Sequence, residues 1–368
     1  MNQNHADVII IGGGIIGCAI AYNLAKRDVK PLVIDKASSV GTEASWAGAG
    51  ILTSHASTHE PYPTLCRASL ALYPTLAEEL RAETQIDIEF IRSGTLSVFF
   101  NQAEAAGLIG LADRRVKRGF SAEILTAEEA WQLEPALTKS IDGAVLFPED
   151  AHVRNPKMVT ALAKGAAKLG ARFLLGNPVT NFVKEDERVI GAIVNGETLY
   201  ADAFVIAAGC WAGTLINQLG VPIHVEPVRG QIVLVETMPP IFQHIVDGLG
   251  IYIVPRADGR ILLGATVEYV GYDKTATVDG AKQMIDAGVA IAPQLANATF
   301  GQTWAGLRPY AKKGPLLGYL PGYDNVALAT GHFKNGILLA PITGQLIAEL
   351  LTTGQPSLSL EPFQPEIV

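Results

Sequence analysis

A chain of 368 residues is about two domains long. Its 37 glycines exceed the average share, while charged residues make up only 17% and hydrophobic residues 49%. That balance excludes a disordered chain, and a net charge of −8 excludes a basic nucleic-acid binder. The glycine excess therefore calls for an explanation in backbone geometry.

Residues 7–11 are a short apolar run ending in glycines, as expected of a buried parallel strand. A helix over 15–27 follows, with Lys26 and Arg27 at its negative end, then a second strand over 32–35. The apolar stretch 7–25 is broken by Gly12, Gly13, Gly14 and Gly17 and has no Lys or Arg before it. Neither a signal peptide nor a membrane span is expected there, and no other window predicts a span.

Further on, 64–85 reads as a helix kinked at Pro74, 90–100 as strand and 103–119 as helix. Thr126 and Glu129 fit a capping box, and Pro156 opens a helix over 156–169. Short strands are expected near Phe173 and Val179 and between 188 and 201, then a buried strand over 203–207. From 228 to 267 the pattern is long strands, with Asp258-Gly259 expected to form a two-residue type I′ hairpin loop. A helix over 279–291 and a strand, glycine turn and helix over 325–352 complete the chain.

The predicted class is α/β and α+β: a Rossmann-like nucleotide-binding domain with an antiparallel-sheet substrate domain. The first is assembled from 1–85, 150–221 and 322–368, the second from 86–149 and 222–321. Cys18, Cys66 and Cys210 are odd in number and far apart, which disfavours disulfides and structural zinc and suggests a reducing cytoplasm. His55 and His59 have metal-ligand spacing but lack a third ligand, so no metal is expected.

Gly12-x-Gly14-x-x-Gly17 lies between the predicted strand and helix. The first glycine permits the turn, the second admits a pyrophosphate and the third allows close packing, with the helix N-terminus supplying N–H donors. Asp35, at the end of the second strand, is placed to accept from ribose hydroxyls. The motif alone does not separate NAD from FAD. The small residues of Ala44-Ser45-Trp46-Ala47-Gly48-Ala49-Gly50-Ile51 admit a flat ring system, and no second surface for a dissociable nicotinamide is evident. A buried FAD fits better.

The chain resembles the glycine oxidase branch of the D-amino-acid oxidase superfamily of flavoproteins nearly end to end. The resemblance is carried by residues 9–17, Tyr252-Ile-Val-Pro255, Gly264-Ala-Thr266, Trp304-Ala-Gly-Leu-Arg-Pro309 and residues 331–341. It implies that FAD is held by Gly12, Gly14, Ile15, Ile16 and Gly17, by Asp35 and Lys36, and by Ala44, Ser45, Ala49, Gly50 and Ile51. Val179 and the loop His332, Phe333, Lys334, Asn335, Gly336, Ile337 and Leu338 complete the set. The backbone of that loop is assigned the role of facing negative charge on a reduced flavin, and the His332 imidazole is read as packing or capping. The related sarcosine oxidases attach flavin through a cysteine, and 308–336 contains none, so non-covalent FAD is implied.

Arg308, in an otherwise apolar segment, is a natural bidentate partner for a substrate carboxylate, or else half of an interdomain salt bridge. The resemblance favours the first and adds Tyr252 as a hydroxyl donor. With Asp258-Gly259 as the loop, Tyr252 would face Ala265 and Gly250 would face Val267, bordering one pocket with Ile51 and Lys334. The resemblance places histidine commonly at 250, methionine at 267 and at 51, and arginine at 334. A roomier pocket is expected, taking glycine, sarcosine, D-alanine or D-proline.

The expected reaction transfers hydride from the amino-acid α-carbon to flavin N5 and yields an oxo acid, ammonia and hydrogen peroxide. Oxygen is the acceptor, no acid–base residue is assigned, and a link to thiamine thiazole synthesis is implied by the resemblance. It further implies a homo-oligomer, specifically a tetramer; the acidic charge balance and the lack of a predicted span leave no nucleic-acid or membrane partner expected. The alternatives are a dehydrogenase feeding a quinone or carrier, and a non-catalytic flavin-binding subunit.

Overall fold

The computed structural model describes residues 5–53 and 60–367. The amino-terminal unit is strand β1 (His5–Ile11), helix α1 (Ile15–Ala25) and strand β2 (Leu32–Asp35). β1 sits at the centre of an eight-stranded sheet, paired in parallel with β2 on one side and with Glu197–Ile206 on the other. Arg172–Leu175 and Val326–Thr330 extend the parallel core in either direction. Its strands carry near-continuous buried runs, as expected of a sheet covered on both faces.

One face of this sheet packs against α1 and the helices Tyr62–Thr84, Asn155–Lys168 and Gly336–Thr353. The opposite face is closed by the helix Ala212–Gln218 and by the strand pair Val179–Glu185 and Arg188–Val194. Among the described residues, 333–353 is long and apolar enough to cross a membrane, but most of that segment is core of this domain. The three cysteines are free and buried.

The second sheet also has eight strands, in the order 299–310, 226–236, 260–264, 251–255, 245–248, 95–99, 143–147, 123–126. Its pairings are antiparallel except between Ile245–Gly248 and Thr95–Phe99. The Thr126 capping box is present, with Glu129 returning the bond to the Thr126 N–H at 2.8 Å.

Two expectations need correction. Leu316–Tyr319 forms a hairpin with Val326–Thr330 and belongs to the first sheet, so the chain returns to that domain before residue 316 and not at 322. The hairpin at Asp258-Gly259 has a three-residue loop: the Arg256 N–H bonds Arg260 O at 2.8 Å, and Gly259 takes φ +83°. That extra residue shifts the pairing by one, so Tyr252 faces Gly264. The tight two-residue loop lies instead at Leu249-Gly250, where both residues have positive φ (49° and 78°).

Candidate active site

A cavity of about 740 Å³ runs between the two sheets, from the β1–α1 turn to the face of the antiparallel sheet. At its nucleotide end Gly12 has φ +116°, and a side chain there would strike Ala207 O. Gly17 does not line the cavity: it lets α1 cross close over Gly12 O, the packing role of the motif. The N-terminus of α1 carries no side-chain cap of its own and no acidic residue in its first turn, leaving positive potential toward the cavity. Ser45 Oγ accepts from Ile15 N at 2.9 Å, so the Ala44–Ala47 helix is tied to this turn. Asp35 accepts from Gly13 N at 2.5 Å and from Ala37 N at 2.7 Å, which fixes its carboxylate at the cavity wall. Lys36 lies 3.4 Å over the Trp211 ring, and Val179 lines the same end.

The opposite wall is the loop from Gly331 into the helix Gly336–Thr353. His332 to Ile337 line the cavity, whereas Leu338 is fully buried in the core behind it. His332 is 2% exposed and its Nε2 lies 3.1 Å from Thr343 Oγ1. Burial pushes its imidazole down to about 3, so it is neutral and packs against the helix. Helix Tyr62–Thr84 holds this loop through its hydroxyls. Asn335 donates to Tyr62 at 2.8 Å, Ser69 donates to Leu338 O at 2.6 Å, and Tyr73 donates to Ile337 O. Nothing in the sequence pattern singled out these hydroxyls.

The end of the cavity away from the glycine turn rests on strand register. Ser97, Asp247, Tyr252, Gly264, Ile232 and Trp304 are successive cross-strand partners and share one face. Two and four residues along from Trp304 come Gly306 and Arg308, with Gly230 opposite Gly306. Three glycines thus form a floor without side chains. The Tyr252 ring lies on Gly264, where an added Cβ would stand 2.8 Å from it, and the Arg308 guanidinium lies flat over Gly230. Gly306 makes room for Ala47, the last residue of the Ala44–Ala47 helix. Glycine inside a strand signals such a close approach, and this is the signal that could have found the floor.

Arg308 Nη1 donates to Thr266 O at 3.0 Å and to Arg229 O at 3.3 Å. Burial raises the Tyr252 hydroxyl above its ordinary value and the adjacent Arg308 charge opposes that rise, so the phenol stays protonated and able to donate. Thr266 is itself fixed: its hydroxyl donates to Glu268 at 2.5 Å, and Glu268 is held by Arg229 at 2.5 Å and Gln231 at 2.7 Å. Lys334 is held below its ordinary value by burial and by Arg308, with Asp247 pulling the other way. Two cations therefore face the same end of the cavity.

Ile51, Gly250, Tyr252, Arg308 and Lys334 all line the cavity. Val267 does not: it is 44% exposed, between the end of the ladder at Gly264 and the bridge that returns Glu268 to Arg229, while Ala265 lines the wall. Gly250 borders open space, but its positive φ also demands glycine, so its identity reports the turn as well as the pocket. His55 and His59 lie outside the described residues, and no metal-binding cluster of His, Cys, Asp and Glu occurs among the described ones.

A glycine turn at a helix N-terminus, a fixed carboxylate at the end of β2, and a buried guanidinium at the far end of one cavity are the features of a nucleotide-cofactor oxidoreductase. Residues 7–350 match the FAD dependent oxidoreductase family, and the chain belongs to it. Glycine oxidase of Pseudomonas putida is 37% identical over 364 residues, 98% of each chain. The crystal structure of glycine oxidase from Geobacillus kaustophilus matches with a TM-score of 0.94 at 34% identity, covering 99% of each chain. The Bifunctional protein ThiO/ThiG of Synechocystis sp. is 32% identical over 372 residues, 99% of this chain and 54% of that longer protein.

FAD is the cofactor, and the residues present fit it. The phosphates would be met by Gly12, Gly14, Ile15 and Ile16, the ribose by Asp35, and the ring by the Ala44–Ile51 and His332–Ile337 walls.

Proposed function

We propose that the protein oxidises glycine and other small amino acids to the imine, hydrolysed to the oxo acid with release of ammonia from a primary amine or of the alkylamine from a secondary one such as sarcosine, while oxygen is reduced to hydrogen peroxide. The observation that carries this reading is the Arg308 guanidinium beside the Tyr252 hydroxyl on a glycine floor, at the end of the FAD cavity. When bound, FAD accepts the hydride from the substrate α-carbon and passes the two electrons to oxygen. Arg308 and Tyr252 fix the carboxylate, which orients the α-C–H toward the ring. Lys334 adds positive potential and favours the anion. The amine reacts neutral, and the imine is then hydrolysed by water. The glycine oxidase names of the relatives agree with this substrate class.

The open space at Gly250 supports turnover of sarcosine, D-alanine and D-proline beside glycine. The ThiO/ThiG relatives support supply of thiamine thiazole synthesis. A cytoplasmic homo-oligomer belongs to the same proposal, the free thiols being consistent with a reducing compartment. The test is an anaerobic screen of amines for bleaching of the bound flavin, paired with oxygen consumption and dye reduction. Bleaching by glycine with rapid oxygen uptake supports an oxidase. Dye reduction without oxygen uptake makes the protein a dehydrogenase, and no bleaching with any amine makes it a non-catalytic flavoprotein.

A further inference from the structure

Arg256 is 6% exposed and sits four residues after Tyr252, where the strand Ile251–Pro255 ends. Among the described residues, no carboxylate is in hydrogen-bond contact with it. Its Nη2 donates to Ala49 O at 2.7 Å, and its Nη1 donates to Val153 O at 3.0 Å and to His152 Nδ1 at 2.9 Å. An arginine only donates, so the His152 Nδ1 is the acceptor and its proton sits on Nε2. Burial, then the adjacent Arg256 charge, push His152 down to about 3, which keeps it neutral and able to accept. Burial and the nearby Arg154 lower Arg256 to about 10, so it remains charged at neutral pH.

The three acceptors belong to one ribbon. Ile51–Leu52 pairs with Ala151–His152, and the Val153 N–H bonds Gly50 O at 2.9 Å. Ala49, Gly50 and Ile51 are the stretch of this ribbon that lines the cavity, and Ala49 and Ile51 pack with Tyr252 and Ile232. One guanidinium therefore grips both strands of the cofactor wall and ties them to the strand that carries Tyr252. A buried cation satisfied only by carbonyls and a neutral imidazole is expensive, and its geometry must be kept by all three.

We propose that Arg256 is a positioning residue that sets the Ala49–Ile51 wall against the flavin and fixes its distance from Tyr252. It touches neither substrate nor the reacting atoms. Losing it frees the Ala49 carbonyl, and the wall relaxes away from the ring.

The test uses the purified holoenzyme and its apoprotein. Apoprotein of wild type, R256Q, R256K and D258N is titrated with FAD by flavin fluorescence, and the visible circular dichroism of the bound flavin is recorded. D258N cuts the exposed Arg154–Asp258 pair at the same hairpin tip and leaves the Arg256 bonds intact. R256Q is expected to weaken FAD binding about tenfold or more and to change the flavin dichroism. R256K, with one ammonium for three acceptors, falls between, and D258N stays within twofold. Binding within twofold and an unchanged flavin dichroism in R256K overturn the proposal, and that variant decides alone if R256Q does not fold. A D258N loss equal to that of R256Q also overturns it, because the effect then belongs to the hairpin tip as a whole.

Discussion

Replacing Gly230 by alanine moves Arg308 without deleting it. The guanidinium lies flat on Gly230, and a methyl built there overlaps both its carbon and its nitrogens. Gly230 sits mid-strand, and no positive φ forbids a side chain. The obstacle is the far end of a flexible arginine, so the fold survives while the guanidinium retreats by about 1 Å or more. That retreat breaks its alignment with Thr266 O and with the Tyr252 hydroxyl. A misplacement of that size costs roughly 100-fold in kcat/KM, or about 2.7 kcal/mol. Arg308→Ala, which removes the charge altogether, is expected to cost about 2–4 kcal/mol. Steady-state kinetics with glycine, beside thermal unfolding, read the two quantities separately. The expected result is a large loss of kcat/KM with a near-native Tm and flavin spectrum. Gly230→Ala with kcat/KM within threefold of wild type would refute the idea that the floor positions the guanidinium.

Three further outcomes follow from the same geometry. Lys334 loses its proton below the ordinary lysine value of 10.5, so binding of a simple carboxylate such as acetate should weaken as pH rises into that range. In Lys334→Met that alkaline limb should be absent, as a titration of flavin absorbance with acetate at several pH values would show. Arg115 pairs with fully buried Asp150 at 2.8 Å and lies 4.3 Å from the Phe147 ring, so Arg115→Met takes the guanidinium away from a buried carboxylate. It should cost about 3–5 kcal/mol, read as a fall in Tm. Gly12→Ala places a methyl against Ala207 O at φ +116°, and the purified variant should carry little FAD by its ratio of visible to ultraviolet absorbance.

Much of the cofactor half was legible because its signals are local. A glycine turn between a buried strand and a helix, with Asp35 one strand later, leaves few arrangements, and β1, α1 and β2 formed close to the expected bounds. The antiparallel half depends on register, which one residue can overturn. Asp258-Gly259 carries a strong two-residue signal, yet the loop takes Ala257 as well, and Val267 left the pocket as a result. The real two-residue turn has leucine at positive φ in its first position, which turn chemistry disfavours, so its sequence carries no turn signal there. Arg256, Glu268 and the Tyr62, Ser69 and Tyr73 hydroxyls act through partners tens to hundreds of residues away. No spacing rule reaches them.

The central claim is that a carboxylate held by Arg308 and Tyr252 presents an amine to bound FAD. Anaerobic reduction of the flavin by glycine and by methylamine, the same amine without the carboxylate, tests it most directly. Glycine is expected to bleach the flavin rapidly and methylamine almost not at all, with Arg308→Ala lowering the glycine rate toward the methylamine rate. Equal bleaching by the two amines, or an Arg308→Ala rate matching wild type, would contradict it.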